Sequence, residues 1–286
     1  MSISSSDFSA TQRGEQTQIV DEHQIRRFGF YKTRTRIGPY AGEFIGTFML
    51  CFFGTSGNAS VVFNDKYGGF GWLIVCLSWS LGIILGLYAS ISVSGGHINP
   101  AITLTKAIYG DFPWKKTPFY IICQVLGGFC GAAVTYGLYA SKFSSFNNGV
   151  KEVTGPNATA GIFGTYPTPS NTNIQSFFTE MMMGVFLMFF IRAIFDNYIQ
   201  QAVGIEPIAI GLVLFAIAIT IGPLTGFAIN PARDFGPRFF TLIAGWGGKV
   251  FTANSGYFWI PIVAPCVGVF IGYGLYEIFI IPQKFS

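Results

Sequence analysis

Gly95-Gly96-His97-Ile98-Asn99-Pro100-Ala101 interrupts an otherwise apolar chain, and 131 residues later its core returns as Gly226-Phe227-Ala228-Ile229-Asn230-Pro231-Ala232-Arg233. Asn is a good helix N-cap, and Pro suits the first helical position, where a missing N–H costs nothing. Each copy therefore predicts an unwound segment ending in the N-terminus of a short helix. At membrane depth such a break is tolerated only where it is buried in protein or lines a water-filled path. A matched pair in corresponding halves of a chain points to a transport site.

The surrounding composition sets that stretch in a membrane. Hydrophobic residues make up 51% of the 286-residue chain, aromatics 17% and charged residues 10%, against about 25% charged in ordinary soluble proteins. Mean hydropathy is +0.49. The 36 glycines suit close helix contact in lipid. A net charge of +4 is too small to indicate nucleic acid as a partner. The five cysteines, Cys51, Cys76, Cys123, Cys130 and Cys266, lie in apolar segments with no metal-ligand spacing and read as small buried hydrophobes. No metal site, cofactor or catalytic constellation is expected.

Taken in order, residues 1–39 form a polar cytoplasmic tail, expected to be disordered. Arg13, Arg26, Arg27, Lys32, Arg34 and Arg36 precede the first span and place it inside. Residues 40–281 read as a channel domain: repeat one over 40–140, an outer loop over 141–175 and repeat two over 176–281. Residues 282–286 form a short cytoplasmic C-terminal tail. Spans are expected at about Tyr40–Phe63, Gly71–Ile91, Pro118–Tyr139, Ile174–Phe195, Gly204–Ile221 and Tyr257–Ile281. The short helices after the two Asn-Pro-Ala stretches reach about Gly110 and Leu242; at ~18 Å the first crosses half a bilayer. Gly127, Gly128 and Gly131 form a small-residue face. Trp246, Tyr257, Phe258 and Trp259 read as an interfacial belt. Asn157-Ala158-Thr159 is a candidate glycosylation sequon, whereas Asn58-Ala59-Ser60 lies inside a span and is expected to be unmodified.

Three spans and one half-helix per repeat bring the second repeat in from the opposite side. The half-helices then meet near the midplane, each N-terminus carrying roughly +0.5 charge. With the amides of Asn99 and Asn230, that junction repels cations and breaks a proton wire. Arg233 is expected toward the outer mouth, with Asp234 holding it or its loop. Glu43 and Glu180 occupy matched positions and are read as acceptors for the unwound loops. His97 is read as a brace of one loop against the other.

On the quoted stretches, extended to Ser94 and to Asp234-Phe235-Gly236-Pro237-Arg238, the chain resembles the aquaporin family over about residues 40–281. Asp234 after the pore Arg, and Pro261-Ile262 at the start of the last span, resemble its aquaglyceroporin branch. The resemblance implies an all-α membrane protein, with six transmembrane helices and two re-entrant half-helices in an inverted repeat. It implies a passive channel for glycerol, small uncharged solutes and water, assembled as a homotetramer in the lipid bilayer. Plasma membrane residence with both termini cytoplasmic is expected, and urea is a further candidate solute. Carried over by position, the selectivity filter falls on Trp79, Ala218, Phe227 and Arg233, and the central motifs on Asn99, Pro100, Ala101, Asn230, Pro231 and Ala232. Ala218 stands where glycerol channels usually have Gly, which adds a methyl group. A water-selective channel is the alternative, and a coupled secondary transporter the reading from another class.

Overall fold

The computed structural model describes residues 31–196 and 202–281. The tail expected over 1–39 is therefore seen only from residue 31, and 282–286 lie outside the described residues. The chain divides into two units between Pro39 and Tyr40. Among the described residues the only β pairing is an isolated bridge between Glu152 and Ala158.

Repeat one comprises α1 (Tyr31–Val62), α2 (Gly71–Ser94), the half-helix α3 (Pro100–Ile108) and α4 (Thr117–Leu138). Repeat two comprises α5 (Asn173–Ile194), α6 (Glu206–Thr220), the half-helix α7 (Pro231–Thr241) and α8 (Ile260–Phe279). Among the described residues five helical segments are long and apolar enough to cross a membrane; α6 is apolar but has 15 residues. The architecture is the six-span, two-half-helix inverted repeat expected from the sequence.

Local chemistry sets the helix ends. Gly95, at φ 86°, closes α2 by donating its N–H to Ile91 O, a left-handed conformation that costs glycine nothing. Thr172 and Gln175 form a reciprocal capping box at the start of α5, satisfying donors that a helix N-terminus otherwise leaves open. Some boundaries differ from those expected. Helix α1 begins at Tyr31, ahead of Tyr40. Helix α8 begins at Ile260 because Tyr257–Trp259 is a 3-10 turn after Gly256 at φ 73°. The aromatic belt is also corrected: Trp246 and Tyr257 are buried, leaving Trp259 as an exposed member. Trp246 packs edge-on against Phe143 and Phe163 under the outer loop.

The repeats interlock. Half-helix α3 packs on α8, and α7 packs on α4, so each lies against the last span of the other repeat. Within each repeat a pair of glycines lets two spans touch backbone to backbone. A Cβ built on Gly127 or Gly131 of α4 would lie 2.3 Å from Phe44 O or 2.8 Å from Phe48 O of α1. On Gly268 or Gly272 of α8 it would lie 2.0 Å from Met181 O or 2.3 Å from Val185 O of α5. Small residues at i and i+4 permit this approach in lipid. Gly268→Ala is accordingly expected to destabilise the protein by about 1–3 kcal/mol through overpacking. Thermal unfolding of the purified protein in detergent tests this, and an unchanged midpoint would refute so close a contact.

Candidate functional site

The two Asn-Pro-Ala stretches meet, and each asparagine serves both loops. Asn99 Oδ1 accepts from Ala101 N at 2.9 Å, while its Nδ2 donates to Ile229 O at 3.1 Å. Asn230 Oδ1 accepts from Ala232 N and Arg233 N at 3.0 and 3.2 Å, while its Nδ2 donates to Ile98 O at 2.8 Å. An amide nitrogen carries two N–H groups, so one from each asparagine remains to face the cavity that both residues line. Pro100 and Pro231 occupy the first helical positions, and Ala101 and Ala232 are fully buried behind them. Ile98, Phe227 and Ile229 hold positive φ of 40°, 42° and 55°. For bulky residues that conformation persists only where the surroundings over-determine it.

Those surroundings are the two buried acids. Glu43 accepts from His97 N at 3.0 Å, Ile98 N at 2.6 Å and Gln124 Nε2 at 2.7 Å. Glu180 accepts from Ala228 N at 3.0 Å, Ile229 N at 2.9 Å and Thr225 Oγ1 at 2.7 Å. Loop N–H groups in a membrane have no water to turn to, so a buried carboxylate replaces it. The expectation for His97 is corrected. Its Nδ1 lies 3.2 Å from Thr103 Oγ1 of its own half-helix, and its ring packs on Phe112 and Tyr120. It braces its own repeat rather than the other loop.

Trp79, Phe227 and Arg233 converge. The two rings stand edge to face with centroids 6.3 Å apart, and the guanidinium carbon lies 3.5 Å from the Trp79 ring centroid and 5.8 Å from that of Phe227. Nη1 of Arg233 donates to Phe163 O at 3.3 Å. These three residues line two cavities at once. One continues past Asn99 and Asn230 to Lys106 and Phe195; the other opens toward Trp72 and the outer loop at Gly164–Tyr166. They therefore form the boundary between the two spaces. Ala218 is fully buried in the same apolar cluster but is not among the residues lining either cavity.

Several neighbours that hold this boundary were missed by sequence reasoning. Asn58 accepts from Trp79 Nε1 at 3.1 Å and donates to Ile162 O at 2.9 Å, so this sequon asparagine is a packing group. Gly54 leaves room for the indole, since a Cβ there would lie 2.2 Å from it. Trp72 stands edge-on to Phe227 at 5.6 Å; its position two helical turns before Trp79 was the available signal.

The neighbour relation of Arg233 and Asp234 does not make them a pair. Asp234 binds Arg238 instead, with Arg238 Nε donating to its Oδ1 at 2.7 Å and Nη2 to its Oδ2 at 3.1 Å. Successive helical residues diverge by about 100°, whereas i and i+4 lie on one face. Asp234 also accepts from Thr165 N and Oγ1 at 2.7 and 2.6 Å, and Arg238 donates to Thr165 O and Val250 O at 2.6 and 2.8 Å. This cluster ties α7 to the outer loop. Farther out, Asn157 is exposed, while Thr159 of its sequon is buried and accepts from Trp246 Nε1.

A family model described as Major intrinsic protein matches residues 31–276. The chain belongs to that family. Its major-intrinsic-protein relatives include Aquaglyceroporin-3 of Trypanosoma brucei brucei, 42% identical over 86% of this chain and 80% of that protein. Aquaglyceroporin-2 of Rhizophagus irregularis is 45% identical over 88% and 80%, and human Aquaporin-9 is 42% identical over 84% and 81%. Among solved structures, the aquaglyceroporin from Plasmodium falciparum matches with a TM-score of 0.77 at 34% identity, over 85% of this chain and 96% of that one. As a member of this family with apolar spans, the protein is an integral membrane protein.

Proposed function

We propose that this chain is a passive channel for glycerol, other small uncharged solutes and water, and not an enzyme. The observation that carries the reading is the boundary at Trp79, Phe227 and Arg233, where two aromatic faces meet one guanidinium between two cavities. A polyol has a carbon face and a hydroxyl face, and such a site offers an apolar surface to one and charged donors to the other. Ions and protons are opposed by Arg233, by the two half-helix N-termini and by the asparagine amides. Relatives named aquaglyceroporins support the same reading. In this proposal Trp79, Phe227 and Arg233 are the selectivity filter, and Ala218 backs it without narrowing it. A homotetramer in the plasma membrane, both termini cytoplasmic and Asn157 glycosylated outside complete the proposal.

The test is stopped-flow light scattering on proteoliposomes under a glycerol gradient and then a sorbitol gradient. Wild type is expected to shrink and re-swell quickly in glycerol. Losing the phenyl contact in Phe227→Ser removes on the order of 1.5–3 kcal/mol of apolar burial. The glycerol-to-water permeability ratio should then fall roughly tenfold. Shrinkage without re-swelling in wild type would overturn the glycerol assignment and leave a water channel.

A further inference from the structure

The cavity bounded at one end by Arg233 has a second cation. Lys106 lines the same space, in the last turn of α3. Seven residues beyond Asn99, it lies about 10 Å along the half-helix axis from the asparagine junction. The inverted repeat sends α7, and Arg233 with it, the opposite way. The two cations therefore stand on opposite sides of the Asn99–Asn230 junction.

Lys106 is half-buried, and it differs from the other cations set among these helices in having no partner. Arg238 is paired with Asp234, Arg192 with Glu277, and Arg233 is stacked on Trp79 and bonded to Phe163 O. Among the described residues the Lys106 ammonium has neither an ion pair nor a hydrogen bond. The charges that act on it are Asp111, Arg192 and Glu43. None of them bonds it: Asp111 accepts from the Tyr273 hydroxyl on Oδ2, Arg192 pairs with Glu277, and Glu43 accepts from the first loop. Leu87, Ile102, Ile191, Phe195 and Ile210 contribute apolar wall to the same cavity. A hydroxyl moving along apolar wall without a partner is costly, and the half-buried Lys106 ammonium offers it unused donors. Each satisfies the other.

We propose that Lys106 is a second solute-selecting group, donating hydrogen bonds to the oxygens of a small polyol at the end of the cavity opposite Arg233. The inference rests on the glycerol-channel reading. With three donors and no acceptor, the ammonium selects solutes rich in acceptor oxygens. The competing role is purely structural, a cation that complements the C-terminal dipole of α3. That role would change stability and would affect both permeants equally.

The experiment compares Lys106→Met and Lys106→Arg with wild type in proteoliposomes, reading glycerol and water permeability from the same preparation. One net hydrogen bond corresponds to a glycerol-to-water ratio about three- to tenfold lower in Lys106→Met. Lys106→Arg, which keeps charge and donors, should stay within about twofold of wild type. An unchanged ratio in Lys106→Met, or an equal fall in both permeabilities, would overturn the proposal while wild-type glycerol flux keeps the channel reading intact. Absence of glycerol flux in wild type would overturn both. If Lys106→Met does not reconstitute, Lys106→Leu, which also lacks donors, is read instead; a ratio lowered about twofold or more supports the proposal, and a wild-type ratio refutes it.

Discussion

Arg238→Met is expected to lower stability by about 3–5 kcal/mol, because it leaves Asp234 as an uncompensated charge in a fully buried site. The cluster that fails is the one joining α7 to Thr165 and Val250. The outer loop, including the Phe163 carbonyl that accepts from Arg233, should loosen with it. Removing both charges separates the pair from the rest of the cluster. Buried ion pairs replaced by apolar residues are often neutral. In Arg238→Met combined with Asp234→Leu, however, the Thr165 N–H and hydroxyl lose their acceptor. The double variant should therefore recover part of the loss, not all of it. Thermal unfolding in detergent measures the cycle, and strict additivity of the two single changes would mean the pair does not interact.

Glu180→Leu carries the second large expected effect. It strands three buried donors at once, the Thr225 hydroxyl and the Ala228 and Ile229 N–H groups. A buried donor left unmade costs about 1–3 kcal/mol, so the total should reach about 3 kcal/mol or more. The damage also reaches the pore, since Ile229 O is the acceptor that holds Asn99. Both glycerol and water flux should fall in proteoliposomes, unlike the ratio change expected at Phe227 and Lys106. Glu180→Gln keeps one carbonyl acceptor and should lose less on both readouts. Wild-type flux and midpoint in Glu180→Leu would refute the loop-support role.

The sequence alone determined the membrane class, the inverted repeat, the two half-helices and the meeting of the two Asn-Pro-Ala stretches. These depend on local signals: apolar length, an Asn-Pro helix start, and a motif repeated at a fixed interval. Glycine spacing on α4 was legible for the same reason, because contacts made at i and i+4 are written along one helix. What only the tertiary structure decided are pairings between residues distant in sequence or adjacent but on different helix faces. Asp234 sits beside Arg233 in sequence, yet helical geometry hands it to Arg238. His97 faces Thr103 and α4 because those groups, and not the second loop, pack around its ring. Asn58 reads as a sequon and serves as the clasp between Trp79 and the outer loop. In sequence Lys106 is only a lysine seven residues after Asn99. Its place on the cavity wall exists only once α2, α3, α5 and α6 close around that space. Local chemistry is written along the chain, whereas which polar group satisfies which is settled by packing in a membrane that offers no water as a substitute.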